Sequence, residues 1–418
     1  MALAAVALSL VPASGAGAQE RPAFPGADSL SFPTNMGFSP DGRLFFTEKD
    51  TGRIRIVENG KLLPTPFATL NVVPGGETGL LGLALDPAFP RRPWVYVYYT
   101  DAADGRNRLV RIEAHGDTGG APQTLLDLLP ATGIHNGGDL AFGADGKLYV
   151  TVGETGQMSR AQDVNDLGGK VLRLNPDGSV PPDNPFGSDN PAFTMGLRNS
   201  FGLCVDPKTG ALWETENGPT QDDEVNLIRA GGNYGWPAQL GPGGAPKYVD
   251  PQLVFPQVIV PTGCAVVGRF LYFGDFHGDL HRASIDGSQL GEQAVVEHLP
   301  SGITDVLLGP NGDLYVATSS SIVRVPVGGA YEEPSDSATP TVAPPSSAAG
   351  GGSTPAASGP PSSGGGSSTI FWVLPALLAA AAGAALFAMR LLSSRLRDVR
   401  RPGEAGDADG PRSPPAPG

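Results

Sequence analysis

Cysteine is nearly absent: Cys204 and Cys264 are the only two in 418 residues. That excludes a disulfide-stapled scaffold. Neither lies in a C-x-x-C or other metal-spaced pattern, so a zinc module is excluded too. The pair fits either one disulfide or two small buried apolar side chains. Nucleotide motifs are missing as well. There is no G-x-G-x-x-G, and Gly168-Gly169-Lys170 lacks the upstream glycine of a phosphate loop. No G-x-S-x-G marks a serine hydrolase. His277 and His281 lack the glutamate of H-E-x-x-H and read as ordinary residues in a strand-like context. Basic residues are few: 28 Lys and Arg against 42 Asp and Glu leave a formal charge of −14, which argues against nucleic acid as a partner. Helical periodicity of useful length is absent between the two ends of the chain.

The ends read differently from the body. Residues 1–18 form a short apolar run closed by Ala16-Gly17-Ala18, the pattern of a secretory signal cut before Gln19, although a basic n-region is missing. Residues 330–369 are rich in Ser, Pro and Gly and cannot bury enough apolar surface to fold, which predicts a linker. Residues 370–389 carry no charge over a length that, at about 1.5 Å per residue, crosses a bilayer core of roughly 30 Å as a transmembrane helix. Arg390, Arg395, Arg397, Arg400 and Arg401 follow it. Basic flanks favour the cytoplasmic side, so residues 390–418 read as a short cytoplasmic tail and the body as extracytoplasmic, held at the cell membrane by one span.

Residues 19–329 repeat one pattern six times. A short apolar run, a turn rich in Asp, Gly, Asn or Pro and a second alternating run recur near Phe38, Leu85, Phe142, Val205, Val266 and Leu308. Asp-Gly and Asn-Gly between alternating runs are hairpin signals. Six such hairpins predict an all-β fold, a six-bladed β-propeller, with a large sandwich or β-helix as the alternative. Propellers bind ligands where the loops between blades converge, so the non-repeating inserts are the place to look for chemistry.

Those inserts are "GGETGLLG", "IHNGGDLAFG", "GLRNSFG" and "ENGPTQDDE". In order and together, they resemble the glucose/sorbosone dehydrogenase family, which includes the soluble quinoprotein, pyrroloquinoline quinone (PQQ)-dependent sugar dehydrogenases. The similarity runs from about Ser31 to Val325. It implies oxidation of the anomeric hydroxyl of an aldose or related alcohol, with hydride passing to the quinone beside a calcium ion and electrons then leaving to an external acceptor. A neutral imidazole near pH 7 can accept an alcohol proton, and the resemblance makes His135 that general base. Glu154 stands where the family usually has an aspartate that orients the histidine. Glu77 matches a polar position lining the sugar pocket, Arg198 and Asn199 match quinone contacts, and the carbonyls of Gly218 and Pro219 match calcium ligands. The triplet Asp222-Asp223-Glu224 reads as a solvated acidic face.

One departure divides the reading. The quinone carries three carboxylates, and the sugar-oxidising members have basic residues on the loop that enters the last hairpin. Here that loop is "SGITDV", with Gly302 and Thr304 at those places, and no lysine follows Lys247. Lost charge-assisted hydrogen bonds at about 1.5–3 kcal/mol each would weaken quinone binding greatly. The alternative to a dehydrogenase is therefore a non-catalytic propeller that binds cell-surface glycans or protein.

Overall fold

Alternation with period two decides which way each strand faces. In Trp94–Asp101, Val95, Val97 and Tyr99 pack towards one neighbouring sheet while Tyr96 and Tyr98 pack towards the other. The same division recurs around the molecule. Six apolar clusters result, one between each pair of adjacent sheets. The structure, a computed structural model, describes residues 22–327.

Within them lie six antiparallel sheets in chain order, the blades of a propeller. The innermost strands are Pro33–Phe38, Leu80–Leu85, Gly137–Phe142, Ser200–Val205, Pro261–Val267 and Ile303–Leu308. Each is followed by its hairpin partner, and the six turns predicted from sequence are the ones that join them. Among the described residues no helix is long and apolar enough to cross a membrane. The expected leader (1–18), linker (330–369), membrane span (370–389) and tail (390–418) lie outside the described residues.

Two devices close the ring. Blade 6 has three strands of its own, and Pro22 supplies the outer edge by bridging Val323. Ala23 N–H donates to the Ile322 carbonyl and Leu30 N–H to that of Ser320, while Phe24, Ala27 and Leu30 fill the core between blades 6 and 1. Near the axis, side-chain hydroxyls latch each blade to the next. Thr34, Tyr98, Thr151, Thr215, Thr262 and Thr304 donate in turn to the carbonyls of Leu80, Asn136, Ser200, Thr262, Ile303 and Pro33. Cys204 and Cys264 form a disulfide, with Cα atoms 5.6 Å apart, between the innermost strands of blades 4 and 5.

The innermost hairpin of every blade carries a register shift near its start. Such bulges re-aim side chains at the rim of a sheet. At three of these shifts, polar residues face the throat of the ring. Asn35, Asp139 and Asp305 accept the N–H groups of Leu83, Leu203 and Met36 in the following blade, and Asn35 also donates to Asp139 at 2.8 Å. Burial outweighs these donors and pushes the Asp139 carboxyl up to about 7, and burial with the nearby Asp139 raises Asp305 well above the usual range.

A carboxyl whose folded pKa is raised holds its proton after the unfolded chain has lost it. Its contribution is therefore complete below the unfolded value near 4 and is lost as pH rises towards 7. Wild-type protein is expected to lose stability over that window. Asp139→Asn should flatten the decline by about 1.4 kcal/mol per pH unit. Denaturant midpoints at pH 4 to 8 check this, and parallel curves for the two proteins would refute it.

Candidate active site

Antiparallel order puts two kinds of loop at one end of the ring: the turns between second and third strands, and the connections between blades. All the inserts singled out from sequence fall in these loops, opposite the repeated hairpin turns. His135 precedes the innermost strand of blade 3 and is held at φ 55°, a left-handed conformation that non-glycine residues rarely adopt. Its N–H donates to Glu77 Oε2 at 2.5 Å and its carbonyl accepts from Thr155 N–H, so the turn is tied down on both sides.

The imidazole Nδ1 lies 2.5 Å from Glu154 Oε1. Glu154 is 1 % exposed, and its other oxygen has no partner. A carboxylate can only accept, so Nδ1 carries the proton and Nε2 is left with a lone pair. Glutamate in place of the commoner aspartate therefore still reaches the ring.

Glu77 is half-buried and joins three loops. Besides His135 N–H, its Oε2 accepts from Asn199 Nδ2 at 3.0 Å, and Asn199 Oδ1 accepts Gly137 N–H at 3.2 Å. That oxygen is committed to positioning the loops; the expected sugar contact would fall to Oε1. Arg198 is 9 % exposed. Its Nη1 donates to the carbonyls of Asn217 (2.8 Å) and Gly218 (3.0 Å), its guanidinium carbon lies 5.5 Å from the centre of the Trp236 ring, and Glu154 N–H donates to its carbonyl. Pro219 follows Gly218 in the same turn. The structure thus gathers His135, Glu154, Glu77, Arg198, Asn199 and the Gly218-Pro219 turn in one mouth.

Nothing in the sequence singles out the residues that hold this set. Glu216 Oε1 accepts the N–H groups of both Arg198 (2.7 Å) and Asn199 (2.8 Å), and its Oε2 accepts Ser200 Oγ. Lys49, 5 % exposed, donates to the Gly76 and Thr78 carbonyls that flank Glu77. These side chains act on backbone groups, which every residue has, so no motif betrays them. The acidic triplet corrects its sequence reading. Asp223 is fully buried and Glu224 is 7 % exposed. Asp223 accepts the N–H groups of Gly218, Ile259 and Val260, fixing the Gly218-Pro219 turn to the chain entering blade 5. Burial raises the Asp223 carboxyl, and raises Glu224 to about 7 with help from Glu216.

Residues 30–325 match the glucose/sorbosone dehydrogenase family. The chain belongs to that family. The PQQ-bound form of aldose sugar dehydrogenase from Streptomyces coelicolor has a TM-score of 0.66 at 32% identity, covering 72% of this chain and 95% of that one. Aldose sugar dehydrogenase YliI of Escherichia coli is 29% identical over 331 residues, 70% of this chain and 89% of that protein. Quinoprotein glucose dehydrogenase B of Acinetobacter calcoaceticus is 35% identical over 247 residues, about half of each protein.

Gly302 and Thr304, where the resemblance leads one to expect basic residues, have packing roles here. A Cβ on Gly302 would meet the Phe276 carbonyl oxygen at 2.5 Å, and Thr304 Oγ1 latches blade 6 to blade 1. Arginines could not be placed there without moving the Phe276 backbone and undoing that latch. For the quinone, the described mouth offers Arg198 and Asn199 as a fitting front half. For calcium the fit is better. The carbonyls of Asn217 and Gly218 converge on a cation, Asn217 Oδ1 is buried without a partner, and Glu77, Glu154, Glu216 and Asp223 surround Arg198. A separate cluster, Asp275, Asp279 and His281, has metal-like spacing. Its groups are already engaged: Asp275 accepts the N–H groups of His277 and Asp279, and His281 bonds Asp275 and Gln293.

Proposed function

We propose that this protein is a quinoprotein-type dehydrogenase that oxidises the anomeric hydroxyl of an aldose or related sugar. The observation that carries the reading is the convergence of His135, Glu154, Arg198, Asn199 and the Gly218-Pro219 turn in one mouth. Bound there, PQQ supplies a two-electron acceptor and a calcium ion a Lewis acid. His135 Nε2 takes the hydroxyl proton as the carbon gives up hydride. Glu154, already on Nδ1, stabilises the imidazolium that forms. Arg198 and Asn199 orient the carboxylate-bearing cofactor, and Gly218 and Pro219 offer carbonyls to the metal. Glu77 holds His135 and Asn199 in register and offers its second oxygen to the sugar.

The test is direct. Full-length protein incubated with calcium and micromolar PQQ is expected to gain a bound-quinone absorbance and to reduce a dye acceptor when aldoses are added. Absence of quinone binding would overturn the reading. The second reading, a propeller that binds glycans or protein without catalysis, rests on Gly302 and Thr304 and would then stand.

The leader-like start and the uncharged run of residues 370–389 support a propeller tethered on the extracytoplasmic side, passing electrons to an acceptor there. Retention of the full chain in alkali-washed membranes, lost on deleting 370–389, checks the tether; solubility of the full chain would contradict it.

A further inference from the structure

We propose that Arg198 is an internal rival of the metal: in the cofactor-free protein its guanidinium holds the Gly218 carbonyl, one of the two that a calcium ion would take, so metal binding and release of Arg198 are one event. The proposal rests on the quinone-and-calcium reading of this mouth. Nη1 donates to the carbonyls of Asn217 and Gly218 at 2.8 and 3.0 Å.

Those carbonyls are fixed from elsewhere. Asp223 accepts Gly218 N–H at 2.7 Å, and Asn217 Nδ2 donates to the carbonyls of Asn199 and Pro261. The oxygens therefore stay in place whichever cation they face. Calcium takes six to eight oxygens at about 2.3–2.6 Å, backbone carbonyls among them. Asn217 Oδ1, buried and unpartnered, is a further oxygen beside the same turn.

A guanidinium and a divalent cation on one carbonyl oxygen would be like charges a few ångströms apart in a site largely closed to water. They exclude each other. Once displaced, Arg198 keeps its place beside Asn199, because Glu216 grips the backbone of both residues independently of the side chain. Its charge is then free for the carboxylates of the cofactor. By linkage, whatever factor the metal adds to quinone affinity, the quinone adds to metal affinity.

Calorimetric titration of calcium into the quinone-free protein tests this, with Arg198→Leu and Arg198→Lys compared with wild type after thermal melts show all three folded. Arg198→Leu is expected to bind calcium about tenfold more tightly. Arg198→Lys keeps the charge but, one bond shorter, does not bring a nitrogen to the place where Nη1 meets both carbonyls, so it should fall between the two. Saturating PQQ should tighten calcium binding to wild type several-fold and to the leucine variant by a smaller factor.

Leucine and wild-type proteins of equal affinity would overturn the proposal. So would a lysine variant equal to wild type, since charge alone would then explain the leucine result, and so would an absence of calcium binding to all three. Quinone that binds without altering calcium affinity would sink the coupling while leaving the proposed function standing. Quinone that does not bind at all would sink the function, and the calcium titrations would still decide the role of Arg198.

Discussion

His135→Ala is expected to lower dye-linked sugar oxidation by about 10²–10⁴-fold, the usual cost of removing a general base. The imidazole is the group in the mouth whose free nitrogen can take a proton, because Glu154 occupies Nδ1. The loss should fall on kcat, with calcium and quinone binding nearly unchanged, since Arg198 and the Gly218 turn are held by Glu216 and Asp223. Glu154→Gln should cost less, because an amide oxygen still accepts from Nδ1 but cannot stabilise an imidazolium. A His135→Ala enzyme with more than a tenth of the wild-type rate would exclude this residue as the base. Steady-state rates across several aldoses, with a melt of each variant, are the measurement.

Reducing the Cys204–Cys264 disulfide is expected to cost about 2–4 kcal/mol of stability. The bond closes a segment of 60 residues that contains the greater part of blade 4. It also crosses the core in which Trp213, Val225 and Phe273 pack between blades 4 and 5. Breaking it enlarges the unfolded ensemble, so the denaturant midpoint should fall and the slope m should rise as more surface is exposed on unfolding. Identical midpoints for oxidised and reduced protein would show that ring closure alone constrains these strands.

Local signals carried most of the fold. The Asp41-Gly42, Asp145-Gly146 and Asn311-Gly312 turns sit between alternating runs a few residues long, so both the hairpins and their number were readable. The bridge from Pro22 to Val323 was not, because its partners are some three hundred residues apart and neither carries a pairing signal. The disulfide was left open for a similar reason: spacing does not say that residues 204 and 264 occupy neighbouring innermost strands.

In the mouth, His135, Arg198 and the Gly-Pro turn were visible because their motifs are unusual. Glu216 and Lys49 were not, since backbone amides and carbonyls are their partners. Asp223 was misjudged as solvated because composition cannot tell an acid that gathers three amides from one that faces water. Gly302 and Thr304 looked like missing cations. Their packing shows what has taken the place of charge: close approach to the Phe276 carbonyl and a latch to blade 1.

The strand edge supplied by Pro22 sets an order of events during synthesis. Phe24, Ala27 and Leu30 are made among the first residues of the propeller, yet their partners Ala317 and Ile322 are made among the last. At about 5–20 residues per second, the ~300 residues between them take roughly 15–60 s. Throughout that interval blade 1 has no neighbour on one side, and its apolar face is open to any sticky surface nearby. Earlier blades can stack as they emerge, but the circle cannot shut before blade 6 is complete. A nascent chain of this design therefore carries an uncovered apolar face for longer than a protein whose first segments find partners close by.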